Sequence, residues 1–444
     1  MRYQMKVFGI SFLICLSFNG AMSQKINNLS LRQTVDYAMT NAIAVKNALL
    51  DIKIQQQTNR EITAIAFPQI NTNLSVNDYL QLPTSLVPAE FAGGTPGTFL
   101  PLRFGTKYNV TGGIDFTQLL FDGQVFVGLK ARKSALQLSN QQAAVTAEMI
   151  KENVYKLYYQ LLIGIRQMGS IDANIDRFDR LLHDTKEIYS NGFAEKLDVD
   201  KVSVQLNNLQ TEKIKLASRL EAGNAALKFL INMPQAEMLV LTDTLREEQI
   251  NEIILTDSVH YEDVKSYQLL KTALDLANYN VQRYKLSAYP TLAMFISYNQ
   301  NAQRTQFDFL KSGDWFPASI IGLKLQVPLF GGFAKDARIE KAKFELEKTK
   351  NSFEQVKASV DNNVTQSKLM ISASIATVES QRKNMKLAEQ VYLSTKLKYE
   401  QGLGSQQEIY NAQTELKVAQ NNYYGALYDA VIAGVDYRKA IGKL

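Results

Sequence analysis

The chain has 444 residues, 46% hydrophobic and 21% charged, with 49 Lys and Arg against 43 Asp and Glu for a formal charge of +6. That composition excludes a disordered polyampholyte. The basic excess is modest and interleaved, as in "KDARIEKAKFELEK", which reads as a solvated helix face and excludes a nucleic-acid patch.

The N-terminus reads as an export signal. Arg2 and Lys6 precede the apolar "VFGISFLICLSF", and Ala21 and Ser23 are small residues at −3 and −1 of a cleavage site after Ser23. The apolar run is shorter than the ~20 residues of a spanning helix. Cleavage removes Cys15, the only cysteine, so the exported chain has no disulfide. Lipidation at Cys15 is not expected, because Ile14 is bulky where a lipoprotein signal has a small residue. Loss of Arg2 and Lys6 brings the formal charge from +6 to +4.

Two alternating segments follow. In "QINTNLSVN", Ile70, Leu74 and Val76 oppose Asn71, Asn73, Ser75 and Asn77. In "KYNVTGGIDFTQLLF", Tyr108, Val110, Ile114 and Phe116 oppose Asn109, Thr111, Asp115 and Thr117. A turn at Asp122-Gly123 then opens a stretch without proline as far as Tyr189, a helix of roughly 100 Å. Its tip, "YSNGFAEKLDVD", reverses at Gly192, where a residue free to take positive φ lets the chain turn back. The returning helix carries a heptad seam at Val202, Leu206, Leu209, Lys213, Leu216, Leu220, Gly223, Leu227 and Leu230.

The same order then recurs at an offset near 210. Residues 24–234 and 261–444 read as one duplicated module, with strand hairpins about 68–121 and 290–330, tips about 189–197 and 399–408, and a link at 235–260. The second pair of strands sets Leu292, Met294, Ile296 and Tyr298 together, then Ile321, Leu323, Leu325, Val327 and Leu329 opposite Lys324 and Gln326. Gly331-Gly332 opens the second long helix, with heptad spacings Leu346, Phe353, Val360 and Thr349, Val356, Asn363, Met370. After the tip at Gly402 the last seam reads Ala412, Leu416, Ala419, Tyr423, Ala426, Ala430, Ala433, Tyr437 and Ala440, so its partner approaches closely.

Helices this long form a wall, a rod or a tube. Four amphipathic strands of ~9–11 residues suit a transmembrane barrel, although a half-buried sheet in a soluble domain alternates identically. The export signal and the helices favour the barrel. Four strands leave two edges unsatisfied in lipid, so several chains must contribute. Trp315, Phe316, Phe307 and Phe309 between the last two strands read as an interfacial girdle or a loop plug.

Catalytic chemistry is not expected. His183 and His260 are the only histidines and neither has a partner at metal-ligand spacing. "GLGS" at Gly402 lacks the rest of a phosphate loop, and no Ser or Cys sits in a nucleophile motif. No cofactor or metal is therefore implied.

The duplicated "FP…LFDG" and "YP…PLFGG" hairpins, the glycine tips and especially "VPLFGGFAKDARIEKAK" resemble the outer-membrane efflux protein (TolC) family over essentially the whole mature chain. The resemblance implies a fold of long antiparallel coiled-coil helices forming a periplasmic α-barrel, with four strands per chain in a trimeric twelve-stranded outer-membrane β-barrel. It implies the outer membrane of a Gram-negative bacterium, a homotrimer in lipid, and an exit duct for efflux or type I secretion. Its partners would be a periplasmic adaptor and an inner-membrane RND or ABC transporter. Residues 235–260 would belong to an equatorial collar. Asn191-Gly192-Phe193 and Gln401-Gly402-Leu403 would contact the adaptor.

Asp198 and Glu408 stand six residues past each tip glycine. They read as helix-start carboxylates favoured by the macrodipole, or, in a trimer, as carboxylate rings that attract cations to a narrow mouth. The family commonly has aspartate at the position of Glu408 and again where this chain has Asn411, and often a basic residue where it has Gly404. A periplasmic coiled-coil scaffold or adaptor without a pore is the alternative; it has no use for apolar faces on four strands. Cargo and the pump's energy source leave no mark in the sequence.

Overall fold

The computed structural model describes residues 26–244, 259–311 and 313–444. The expected export signal with Cys15, and residues 245–258 of the link, lie outside the described residues.

The elements are β1 (Ile26–Leu29), α1 (Leu31–Asn41), α2 (Ile43–Ala64), β2 (Gln69–Asp78), β3 (Thr84–Pro88), β4 (Phe99–Arg103), β5 (Tyr108–Phe121), α3 (Gly123–Ser190), α4 (Lys196–Leu230), β6 (Met238–Leu241), α5 (Lys265–Leu286), β7 (Thr291–Arg304), β8 (Phe316–Gln326), α6 (Ala334–Glu400) and α7 (Gln406–Ala440). The helices α3 and α6 run 68 and 67 residues, and α4 and α7 run 35 each. At 1.5 Å per residue the longer pair span about 100 Å. Among the described residues, no helix is long and apolar enough to cross a membrane.

Strands β2, β5, β7 and β8 form one antiparallel sheet in that order. Register puts Ile70, Phe116, Ile296 and Ile321 in a single row across all four strands. Cross-strand partners share a face, so most apolar residues of the four strands lie on one side, while Phe295, Phe316 and Ile320 fall on the other. Much of that side meets no protein: Ile70 and Leu74 are 69% and 74% exposed, and Ile321, Leu323 and Leu325 are 70%, 66% and 63%. The opposite side is a polar ladder, in which the Asn73 amide donates to Asp115 at 2.7 Å and the Thr111 hydroxyl donates to Asn301 at 2.7 Å. At the end away from the helices the apolar side is covered. Val110 and Ala302 are buried there, and Phe307 packs edge-on against Tyr108 at 5.6 Å.

Two features of the sheet depart from expectation. Strands β5 and β7 are 14 residues long, and a bulge between Leu119 and Phe121 shifts their register. A separate hairpin, β3–β4, rises between β2 and β5; its prolines and uneven alternation hid it in the sequence.

The long helices each change partners midway. Helix α3 packs against α2 and α5 toward the sheet and against α4 and α7 toward the far end, while α6 packs against α5 and then α7. Short helices meet end to end at the handover. Helix α4 stops at a left-handed Asn232 (φ 57°), with the Met233 N–H donating to Lys228 O at 2.7 Å. Asn232 then donates to the carbonyl of Asn41, just before α2. Helix α7 stops the same way at Gly442 (φ 72°), and a Cβ there would lie 2.4 Å from the carbonyl oxygen of Asp263, just before α5.

The first handover holds the largest core, with Val154, Tyr158, Leu227, Ile231, Leu427 and Ala430 at its centre. Beside it β1 and β6 pair in parallel, a contact of two four-residue strands too short to show in the sequence. The buried Tyr158 hydroxyl lies 3.1 Å from both the Leu29 carbonyl and the Asp243 carboxylate, and Asp243 also accepts from the N–H of Leu31 at 2.7 Å. Burial pushes the Tyr158 pKa up, keeping it a neutral donor. Across the second handover, Glu152 binds Lys439 at 2.6 Å and Lys156 at 2.7 Å. Burial opposes its ionisation, but the two lysines together hold its pKa below the ordinary value.

The α4 seam and α3 pack knobs into holes in both directions. A Cβ on Gly164 would lie 2.7 Å from Leu220, and one on Gly223 would lie 2.9 Å from Leu161. At the seam position of Lys213 the side chain pairs with Asp172 at 2.7 Å. On α7, Ala412, Leu416, Tyr423, Ala426, Ala430, Ala433 and Tyr437 are all buried. The α6 stripe drifts from the expected positions. Leu346 and Phe353 are half-buried and Val360 is buried, but thereafter the stripe runs Val364, Ser367, Ile371, Ser374 and Val378. Asn363 and Met370 are left exposed. A straight helix slips about 20° per heptad against a strict seven-residue repeat, and the change of partner from α5 to α7 takes up the slip.

The glycine holes give a test with a change of sign. Gly164→Leu should destabilise the protein by about 1–3 kcal/mol through overpacking. Gly169→Ala, whose Cβ meets nothing within 4 Å, should stabilise it by about 0.5–1 kcal/mol. Urea unfolding of the detergent-extracted protein measures both; equal midpoints for the two variants would refute the packing.

Candidate functional site

The candidate residues fall at two kinds of chain reversal, the tips far from the sheet and the turns between sheet and long helix.

At the first tip α3 ends with a 6→1 bond from the Phe193 N–H to Ile188 O at 3.0 Å, closed by Gly192 at φ 81°. At the second, the Leu403 N–H donates to Lys398 O at 2.9 Å and Gly402 takes φ 72°. Open space surrounds both glycines, so they are required for conformation and not for clearance. These bonds satisfy carbonyls of the last turn that have no helical partner. Asn191 caps its own helix by donating to Glu187 O at 2.7 Å. Between the bonds, Phe193 and Leu403 stand 86% and 77% exposed, and Gln401 is exposed beside them.

Asp198 and Glu408 occupy the same place, the third residue of α4 and of α7. The Glu408 N–H donates to the cap hydroxyl of Ser405 at 3.2 Å, while Asp198 faces Lys201 at 3.5 Å. Both carboxylates therefore sit where the helix dipole favours negative charge. Asn411 is one turn on and accepts from Gln407 at 2.7 Å. Gly404 is hemmed in by backbone, a Cβ there lying 3.1 Å from the nitrogen of Tyr399. Asp198 and Glu408 are held by their own helices and not by each other.

The two tips are joined instead by residues with no sequence signal. Gln406, opening α7, donates to the hydroxyl of the fully buried Thr185 near the end of α3. Behind this bond Phe178, Leu181, Val202, Leu209, Ile409 and Leu416 share one core. Burial, assisted by the charge of Asp184, pushes the Tyr399 hydroxyl pKa up. Deeper on α3 a polar layer interrupts the core. Asn174 donates to Gln420 at 2.8 Å and accepts from Arg177 at 2.5 Å, and the Arg177 guanidinium lies over the Tyr392 ring at 5.6 Å. The only available sign was polar side chains recurring at heptad spacing.

The strand-to-helix turns read alike but are built differently. Asp122 is extended and caps α3, accepting from the N–H groups of Gln124 at 2.7 Å and Val125 at 3.4 Å. Gly123 makes no left-handed turn; its missing Cβ admits Leu286 at the end of α5, which a Cβ would approach to 2.9 Å. In the second turn Gly331 has no unusual conformation, whereas Gly332 and Phe333 are both left-handed (φ 60° and 61°). Phe333 has no side-chain cap to offer α6 and stacks edge-on against Phe330 at 5.6 Å.

Comparison with known proteins agrees with this geometry. The sequence model of the family described as Outer membrane efflux protein matches residues 268–443. The outer membrane protein TolC of Vibrio cholerae serotype O1 is 22% identical over 338 residues, covering 76% of this chain and 77% of that protein. Among solved structures, the outer membrane protein VceC of Vibrio cholerae superposes with a TM-score of 0.73 at 16% identity, over 93% of this chain and 96% of that one. CusC, whose structures describe transmembrane channel formation, superposes with a TM-score of 0.77 at 14% identity, over 100% and 99%. At such identities the structures speak for the fold. Sequence and fold agree: residues 268–443 match the outer membrane efflux protein family, and the chain as a whole is similar in sequence to TolC and in fold to outer-membrane channel structures.

Proposed function

We propose that the chain is the passive exit duct of a tripartite efflux or type I secretion assembly. Three copies close their sheets into a twelve-stranded barrel in the outer membrane, and their helices continue below it as a tunnel through the periplasm. The observation that carries this reading is the four-stranded sheet. Its apolar face is largely uncovered, its other face is a polar ladder, and β2 and β8 each have an edge with no strand partner among the described residues. In lipid, unpaired edges cost several kcal/mol per backbone group, so neighbouring copies must pair them. The polar ladder then lines the lumen. The aromatic cluster at Phe307, Phe309 and Trp315 belongs to the apolar side through Tyr108, which supports a girdle over a plug.

Residues 24–234 and 261–444 are two repeats of one module, each supplying two strands to the barrel and a helical hairpin to the tunnel. The described parts of the link, residues 235–244 and 259–260, contribute to an equatorial collar. The duct holds no energy source, so a periplasmic adaptor and an inner-membrane pump drive it. The tips converge at the periplasmic mouth and dock the adaptor through Phe193 and Leu403. Asp198, Glu408 and Asn411 line that mouth as rings.

Glu408→Gln should lower cation preference in planar-bilayer recordings, read as a reversal potential moved toward zero in a salt gradient; an unchanged potential removes Glu408 from the mouth. Phe193→Asp with Leu403→Asp should reduce adaptor capture at least tenfold while conductance of the isolated channel persists. Undiminished capture would place the adaptor elsewhere.

A further inference from the structure

Residues 79–107, between β2 and β5, carry the β3–β4 hairpin beyond the end of the sheet that lies away from the helices. The base of this excursion is closed by the Tyr79 N–H donating to Lys107 O at 2.8 Å. Its register, Thr84 with Arg103 through Pro88 with Phe99, puts Leu86 and Phe99 on one face and Val87 and Leu100 on the other. Leu86 and Phe99 are exposed, as is Phe91 at the turn. A two-stranded hairpin is marginal in water unless a surface covers one face, and a contiguous apolar patch of this kind marks a contact.

Among the described residues, the only other excursion at this end is the β7–β8 connection. Its first half has a fixed shape. The Arg304 guanidinium lies over Phe309 at 5.0 Å and donates to the Asp308 carbonyl at 2.6 Å, and Phe307 packs on both Tyr108 and Phe309. That shape leaves Leu310 wholly exposed and Phe307 largely so.

Topology says which copy covers which. β2 and β8 are the outer strands of the sheet, so one excursion leaves from one edge and the other arrives at the opposite edge. When β8 of one copy pairs with β2 of the next, the next copy's hairpin comes to stand beside this copy's connection. Resting on the barrel reading above, we infer that the hairpin docks through Leu86, Phe91 and Phe99 on the neighbouring copy's connection around Phe307 and Leu310. The contact is an apolar clasp that fastens the seam between copies at its outer end.

The test is disulfide trapping in the full chain, in cells. Leu310→Cys is combined in turn with Leu86→Cys, Phe91→Cys and Phe99→Cys, oxidised on intact cells and run without reductant. The expected result is a ladder at two and three chain masses for at least one pair and for none of the single variants. A particle that is trimeric by detergent-corrected mass yet gives no ladder overturns the clasp and leaves the duct intact; a hairpin lying among acyl chains gives this result. A faster-migrating monomer that reverts on reduction shows the hairpin covering its own connection, which also overturns the clasp. A monomeric mass overturns the clasp and the barrel together.

Discussion

A sheet with two open edges cannot remain alone in lipid. Backbone N–H and C=O groups on β2 and β8 have no water to bind there, and the described residues supply no further strand at either side of the four-stranded sheet. On the proposed reading, closure comes from copies of the same chain, and much else follows from that. A ring of sheets has an inside and an outside, and the cross-strand rows from Ile70 to Ile321 sort every side chain accordingly. In the proposed duct a ring of strands also sets a ring of helices beneath it, so that α3 and α6 would be staves of a wall and not members of a buried bundle.

Staves need only a narrow seam. The α6 stripe, with Ser367 and Ser374 among its buried positions, would be a poor core for a globule, yet it suffices where one side faces α7 and the other remains free for a neighbour. Length is managed by division. Neither α2 nor α4 alone spans the wall, but α4 stops at Asn232 against the start of α2, and α7 stops at Gly442 against the approach to α5. At each handover the long partner passes unbroken, so α3 and α6 carry the rigidity while the short helices are free to differ above and below.

Periodic features were legible in the sequence. Period-two faces on four segments, two long runs without proline and the seams of α4 and α7 all lie where alternation and heptad spacing put them, because one repeated environment dictates each. Features fixed by a single contact were not legible. The pairing of β1 with β6 joins a four-residue segment near the start of the described chain to one just past residue 234, about 210 residues away. The link between Thr185 and Gln406 depends on the tips sharing one end of the molecule. The paired turns mislead for a related reason: Gly123 is required by Leu286 and Gly332 by its own backbone. The same letter answers two physical demands. Of the candidate site, the tip glycines were readable as reversals, and the carboxylates as helix starts, while the residues that tie the tips together were silent.

Closure by copies is settled most directly by imaging the detergent-extracted protein and averaging single particles for symmetry. A threefold hollow particle, with a long tube below a short barrel, is the predicted result. A compact monomer, a dimer or a solid rod would leave the edges of β2 and β8 unpaired, and the duct would have to be given up.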